Sequence, residues 1–561
     1  METRTILAVV LSILVFLIFT FLGQHYAPPP PAKAPEQVQP AEQAKPAPAP
    51  PAAVRPQPPV PPVASRPAGP AKDVVVETDL YRAVFSEQGA ALKSFQLKNY
   101  RQSLPIETIS KFHLGPVSFE LERFQDQGRA AAKLKEMVTA APNQPLPLSF
   151  SWVGRHLSVA PDLVYQASVP SLTLKGDQSG NLVFKGVTPE GLVVTRSYSF
   201  TGNNYVFRLH STVANQGSAP LEGKIALDLT GTSAGEPHEA QALAVLANGK
   251  LEEFPSGKLK EPKVFAEKVK WIGLNELYFL AAAAPAEAPE TQATLLETPP
   301  NQLMASLNLP EKINPNQDVP ALYNFYFGPK NINDLKAANL SLDRVVHFGW
   351  FDWLARPALQ FLIWLNGYIH NYGWSLIVLT ILLRLVFWYP NHKSFQSMKV
   401  MQKIQPRVAE IREKYKDDRE GMNKELMNLY RTFKVNPLGG CLPMLLQLPV
   451  FLALYNMLGN SIELRHASFI PTLPFTNIVW LADLSAKDPL LITPIIMGAS
   501  MFVQQKMSPS PGDPAQAKMM MFLPLIFTFL FLNFASGLVI YWLVNNILAI
   551  MQQYFTNKYI T

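Results

Sequence analysis

The stretch Tyr372–Pro390, YGWSLIVLTILLRLVFWYP, is apolar enough to cross a membrane, yet it holds Arg384. An arginine at the centre of an inserted helix costs about 2.5–3.5 kcal/mol. It does not escape by deprotonating, because its pKa lies above ~12. Arg384 therefore needs an anion, water, or a short route to the headgroups. It stands six residues before Pro390, roughly 9 Å of helix at ~1.5 Å per residue. Thr380, four residues earlier, shares its helix face. No Asp or Glu lies in the apolar core of another candidate span, so a resident salt bridge is not expected. Snorkelling of the side chain to the interface is the plainer alternative. We read this face as lining a wet, positively charged recess open to one side of the membrane.

The rest of the chain supports a membrane protein with a soluble part. Hydrophobic residues make up 48% of the 561 and charged residues only 16%. The formal charge of +7 says less than where that charge sits, and no specific DNA partner is expected. The single cysteine, Cys441, excludes an intrachain disulfide and a Cys-based zinc site. No phosphate-cradling glycine loop, nucleophile elbow or zinc-hydrolase signature appears, so neither a cofactor nor an enzyme is expected. His210, and His238 near Glu236, are read as ordinary side chains.

In chain order, Thr5–Leu22 is an unbroken apolar run of 18 residues. It is long for the apolar region of a cleaved signal, ~7–15 residues, so residues 1–22 are expected to be an uncleaved anchor. Residues 23–72 are rich in Pro and Ala and read as a semi-stiff extended linker. Residues 73–342 change to short alternating runs with turn residues between them, which predicts a large antiparallel β-sandwich. Its clearest hairpin joins Leu192–Phe200 to Tyr205–Val213 through Thr201–Asn204. Residues 343–371 are rich in Trp, Phe and Leu, with Pro357 placed for a first turn, and predict an interfacial amphipathic helix.

Residues 372–561 are expected to form a helical membrane core, with spans at about 372–390, 442–458, 490–505, 519–534 and 538–554. Between the first two spans, residues 391–436 carry eleven Lys/Arg against six Asp/Glu, net +5. Apolar residues recur there at helical spacing from Met398 to Tyr415 and from Met422 to Phe433, predicting a two-helix hairpin in which Pro406 kinks the first helix. A cytoplasmic N-terminus puts the β domain outside and the basic hairpin and C-terminus inside. The charge bias agrees: the outer connection Ser461–Asp488 has two basic and three acidic residues.

Each span also carries a proline or a polar residue: Gln447 and Asn456, Thr493, Thr528 and Asn533, Asn545 and Asn546. Helix packing accounts for any one of them. Together with Arg384 and Thr380 they suggest a hydrophilic groove. Two function classes remain. One is a secondary transporter with an outer sugar-binding or mutarotase-like domain, which would normally show repeat symmetry and a coupled acidic residue. The other is a device that lets polar segments of client proteins enter the bilayer.

The motifs NPLGGC (Asn436–Cys441), LQLPVFLALY (Leu446–Tyr455), SIELR (Ser461–Arg465), QQKMSP (Gln504–Pro509) and SGLVIYW (Ser536–Trp542) resemble the YidC membrane insertase family along the whole chain. The resemblance implies insertion of nascent membrane proteins into the bacterial inner membrane, alone or with the Sec translocon and without nucleotide hydrolysis. It implies a β-supersandwich for the periplasmic domain. It also implies groove roles for Arg384 and Thr380, with Trp542, beside Tyr541, at the position where the family commonly keeps a tyrosine. With only Lys558 near Thr561, ribosome contact is expected to rest on hairpin 391–436.

Overall fold

The computed structural model describes residues 71–561, except 115–116, 126–131, 155–156, 160, 189–190, 234–239, 287–289, 434–441, 508–513 and 560–561. The expected anchor Thr5–Leu22, nearly all of the linker, the pair Glu236/His238 and the NPLGGC motif lie outside the described residues.

Strands run from Asp73 to Pro329 and form three main sheets of nine, six and five strands. The nine-stranded sheet contains Leu192–Thr201 paired with Val206–Asn215, in register from Leu192↔Asn215 to Ser199↔Arg208, about the Gly202–Asn203 turn. This is the hairpin expected from the sequence. The six-stranded sheet is built on the long pair Leu221–Thr232 and Gln302–Ile313. Buried positions alternate along Leu192–Thr201 and Val206–Asn215, as one buried face requires, whereas Leu243–Ala247 and Phe279–Ala284 are buried on both faces. Phe85 lies 4.7 Å from Tyr198, and Phe95 5.3 Å from Phe327, which fastens the five-stranded sheet to the nine-stranded one. Within this core Arg196 is wholly buried. Its guanidinium donates to the carbonyls of Gly89 (2.9 Å), Ala90 (3.2 Å) and Leu148 (2.6 Å), tying both sheets to one loop.

The helices that follow are α1 (Ile332–Ala337), α2 (Asp352–Ile369), α3 (Tyr372–Val386), α4 (Trp388–Lys414), α5 (Arg419–Thr432), α6 (Leu442–Asn460), α7 (Ile492–Met507), α8 (Pro514–Phe531) and α9 (Ser536–Tyr559). The turn from α2 to α3 has local causes. His370 takes a left-handed conformation, and the Asn371 side chain caps α3 by accepting from the Trp374 N–H at 3.1 Å. A Cβ on Gly373 would fall 2.2 Å from Phe469, so only glycine lets that ring pack.

Two proline readings, at Pro357 and Pro390, are corrected. Pro357 lies inside α2, which begins at Asp352, where the Arg356 Nε donates to the Asp352 carboxylate at 2.5 Å. Pro390 does not end the first membrane helix. The chain bends by 63° between α3 and α4 at Phe387, and Pro390 is the third residue of α4, where a helix needs no N–H donor. Pro406 lies inside α4, as the hairpin reading has it. The hairpin then turns at Tyr415–Asp418, with Asp418 capping α5 through the Gly421 N–H at 2.9 Å.

Among the described residues, Ser536–Thr556 is long and apolar enough to span a bilayer alone, and the bent pair α3–α4 qualifies together. Met520–Phe531 is a shorter apolar helix. The β domain contacts the C-terminal end of α6 and the segment that follows it. The Tyr278 hydroxyl donates to the Gly459 carbonyl (3.0 Å), Arg465 to the Gln102 carbonyl (2.8 Å), and the Asn331 amide to the Glu463 carboxylate (3.0 Å).

Candidate functional site

Arg384 projects from the same face of α3 as Thr380, and both are buried, at 7% and 1% exposure. The opposite face, with Leu382 and Leu385, is exposed. That asymmetry is what an amphipathic face in an apolar helix produces: the polar side turns to the bundle because lipid offers it no partner. Thr380 satisfies its hydroxyl by donating to the Leu376 carbonyl at 2.7 Å. Arg384 finds no such relief. Its Nε has no hydrogen-bond partner, and among the described residues no carboxylate stands within 4.0 Å of its guanidinium.

The guanidinium lines a narrow recess of about 20 Å³, room for about one water. Leu383 and Phe387 on α3 and its bend, Asn391 on α4, Leu446, Gln447 and Val450 on α6, and Tyr541 and Asn545 on α9 complete the wall. Gln447 Nε2 donates to the Tyr541 hydroxyl at 3.4 Å across the recess. Tyr541 and Asn545 are four residues apart and share a face of α9, as Thr380 and Arg384 do on α3. Among the described residues, the wall therefore holds one cation, three amides and two hydroxyls, with no acid and no thiol. Such a set attracts carboxylates and hydrogen-bonds polar chains, but it has no nucleophile–base pair.

Of the nine residues singled out in the sequence, the structure brings Arg384, Thr380, Gln447, Tyr541 and Asn545 to the recess. Four are elsewhere. The Asn456 amide donates to the Phe348 carbonyl at 3.1 Å and ties α6 to the segment before α2. Thr528 donates to the Pro524 carbonyl at 2.7 Å and packs on Gly498, where any Cβ would lie 1.9 Å from its hydroxyl. Asn546 donates to Ser500 at 3.2 Å and pins α9 to α7. Trp542 turns away into an aromatic cluster, 5.0 Å from Phe451 and 5.4 Å from Phe531. Tyr541, not Trp542, offers the recess a hydroxyl, because one residue along a helix rotates the side chain by about 100°.

Asn391 was not anticipated. It continues the series 380, 384, 387, 391 at helical spacing, a signal hidden by treating Pro390 as a stop. Two acids outside the spans, Glu463 half-buried and Asp488 buried, were also missed. Burial raises the Glu463 carboxyl to about 7. Asp488, fully buried, accepts from the Thr493 N–H and hydroxyl, both at 2.7 Å, from the Leu490 N–H at 2.9 Å and from the Trp480 indole at 3.3 Å.

Comparison with known proteins places this geometry in context. Residues 364–561 match the family described as 60Kd inner membrane protein, and residues 117–361 match the YidC periplasmic domain. The chain is 39% identical over 564 residues to the membrane protein insertase YidC of Geotalea daltonii, covering 100% of this chain and 99% of that protein. It is 42% identical over 570 residues to that of Citrifermentans bemidjiense, with the same coverage. An active YidC insertase crystal structure aligns over 88% of this chain and 95% of its own, at 18% identity and a TM-score of 0.35. A galactose mutarotase-like protein from Lactobacillus casei covers 46% of this chain and 100% of its own, at 10% identity and a TM-score of 0.28. Both structural likenesses are too loose to argue from.

Proposed function

Because the chain belongs to the YidC family of membrane protein insertases, we propose that it inserts its clients through the Arg384 recess. It is an inner membrane protein with a periplasmic β-rich domain and a C-terminal helical region. It acts on nascent membrane proteins, and it is an insertase rather than a transporter or an enzyme.

The finer reading is ours. Residues 1–22 anchor the chain from a cytoplasmic N-terminus, residues 23–72 space the anchor from a periplasmic domain at 73–342, and α2 lies along the outer interface within 343–371. Helices α3, α6, α7, α8 and α9 cross the membrane as a five-helix core. The basic hairpin, net +5 over 391–436, and the C-terminus face the cytoplasm, following the inside bias of Lys and Arg. Ribosomes dock on that hairpin, and the Sec translocon is a partner for some clients.

The observation that carries the mechanism is the buried guanidinium with no carboxylate beside it among the described residues. A client carboxylate about 4 Å from it gains on the order of 4 kcal/mol at an effective dielectric of ~20. The recess shortens the apolar path that a polar tail must cross. Phe387 and Asn391 on its wall support a mouth on the hairpin side. The exposed apolar faces of α7 and α8, including Ile495, Phe522 and Leu525, then accept the client's helix.

The test is reconstitution in proteoliposomes, with protease protection of the client as readout. Arg384→Ala is expected to lower insertion of a client with an acidic translocated tail by at least about tenfold, the equivalent of ~1.4 kcal/mol. A client with a short neutral tail should be little affected, and Arg384→Lys should be milder because the charge is kept. Equal losses for both clients would contradict electrostatic attraction.

A further inference from the structure

A second, larger cavity lies away from the recess, where the β domain meets the helices. Its volume is about 600 Å³, within the ~300–1,000 Å³ of ordinary small-molecule sites. Its walls come from three places: the β domain, with Glu253, Ser256, Asn275 and Lys330; the connecting segment, with Val345 and Phe348; and Asn460 at the outer end of α6.

The polar groups here form a built relay. Lys330 Nζ donates to the Asn275 side-chain oxygen at 3.1 Å and to the Glu276 carbonyl at 2.9 Å. An ammonium has three donors, and the third has no acceptor among the described residues. Asn275 passes the contact on, its Nδ2 donating to Glu253 at 2.9 Å. Behind this front, Glu276 is satisfied by Lys135 at 2.8 Å and by the Gln241 amide at 3.0 Å. Burial brings the Lys330 ammonium down to about 8, so it gains from any further acceptor. The front thus presents one spare donor and one carboxylate acceptor in a site whose charges balance. That suits the alternating N–H and C=O groups of an extended peptide better than a strongly charged ligand.

The position supplies the occupant. Gln447 and Val450 line the Arg384 recess, and Asn460 of the same helix lines the cleft. Ten residues separate Val450 from Asn460, roughly 15 Å at ~1.5 Å per residue. We infer that this cleft holds the extended polar segment of a client after that segment has passed the recess, a holding site on the outer side that rests on the insertase reading.

The experiment uses the full-length protein in proteoliposomes, with a benzophenone amino acid at Ser256 or, as a control, at exposed Val153. The probe is a single-span client with a polar translocated tail, and in a parallel arm the tail peptide alone is added outside. Tail adducts are expected at Ser256 and not at Val153. Glu253→Gln with Lys330→Gln should lower the Ser256 adduct about fivefold, the effect of losing roughly one hydrogen bond, while protease-protected insertion of a short-tailed client is unchanged. If the double variant does not fold, Glu253→Gln alone should still lower the adduct. Normal insertion with no Ser256 adduct, or an adduct the variants leave unaltered, overturns the holding site and leaves the insertase reading standing. Failure of insertion overturns that reading instead, and the free peptide still decides the cleft: an adduct supports it, and no adduct overturns it.

Discussion

Asp488→Ala should be among the most damaging single changes outside the recess. The wild-type carboxylate is fully buried and takes four donors at once: two from Thr493, one from the Leu490 backbone and one from the Trp480 indole. It thereby caps the first turn of α7. An orphaned buried donor costs about 1–3 kcal/mol, and loss of a side-chain cap alone about 0.5–2 kcal/mol. Trp480 and Leu490 are only half-buried, so water relieves part of their loss. The expected total is about 3–5 kcal/mol, in the far tail of point substitutions. Asp488→Asn keeps one acceptor oxygen and should lose roughly half as much. The assay is denaturant unfolding of the full-length protein in detergent, followed by tryptophan fluorescence. A stability for Asp488→Ala within about 1 kcal/mol of the parent would refute the claim that this carboxylate organises the N-terminal end of α7.

Two further predictions follow from buried groups. The Glu463 carboxyl is raised by burial to about 7, against an ordinary 4.5, and accepts from Asn331 across the junction of β domain and helices. A raised acid favours the folded state while protonated, so its stabilising contribution is full below about pH 4.5, declines as pH rises, and is gone above about 7. Melting temperature against pH should show that decline, and Glu463→Gln should flatten it; an unchanged slope would count against the assignment. On α9, Trp542→Ala should destabilise by about 3–5 kcal/mol, as large aromatic deletions in packed cores do. Tyr541→Phe should leave the melt nearly unchanged and lower insertion of acidic-tailed clients, because it removes only the hydroxyl that faces the recess.

The sequence was most legible where a residue conflicts with its surroundings. Arg384 in an apolar run announces itself, and Thr380 follows by spacing alone. The Thr201–Asn204 turn was legible because Gly and Asn between two alternating runs mark a hairpin. Asn456, Thr528 and Asn546 looked equivalent to Gln447 and Asn545 because a polar residue in a span does not say which neighbour will satisfy it. Thr528 turned to its own backbone, Asn546 to another helix and Asn456 to the connecting segment. The choice between Tyr541 and Trp542 depends on how α9 is rotated against α6, which only packing fixes. Asn391 was hidden because a proline that starts a helix and one that ends it are the same letter.

The most direct test of the recess is a site-specific crosslink from an acidic client tail stalled during insertion. Crosslinkers at Gln447 and Asn545 should capture the tail, and crosslinkers at Asn456 and Thr528, on the same helix set but outside the recess, should not. Arg384→Ala should weaken capture at the first two positions. Equal capture at all four positions, or capture at Asn456 and Thr528 alone, would contradict the proposal that clients are received by that unpaired guanidinium.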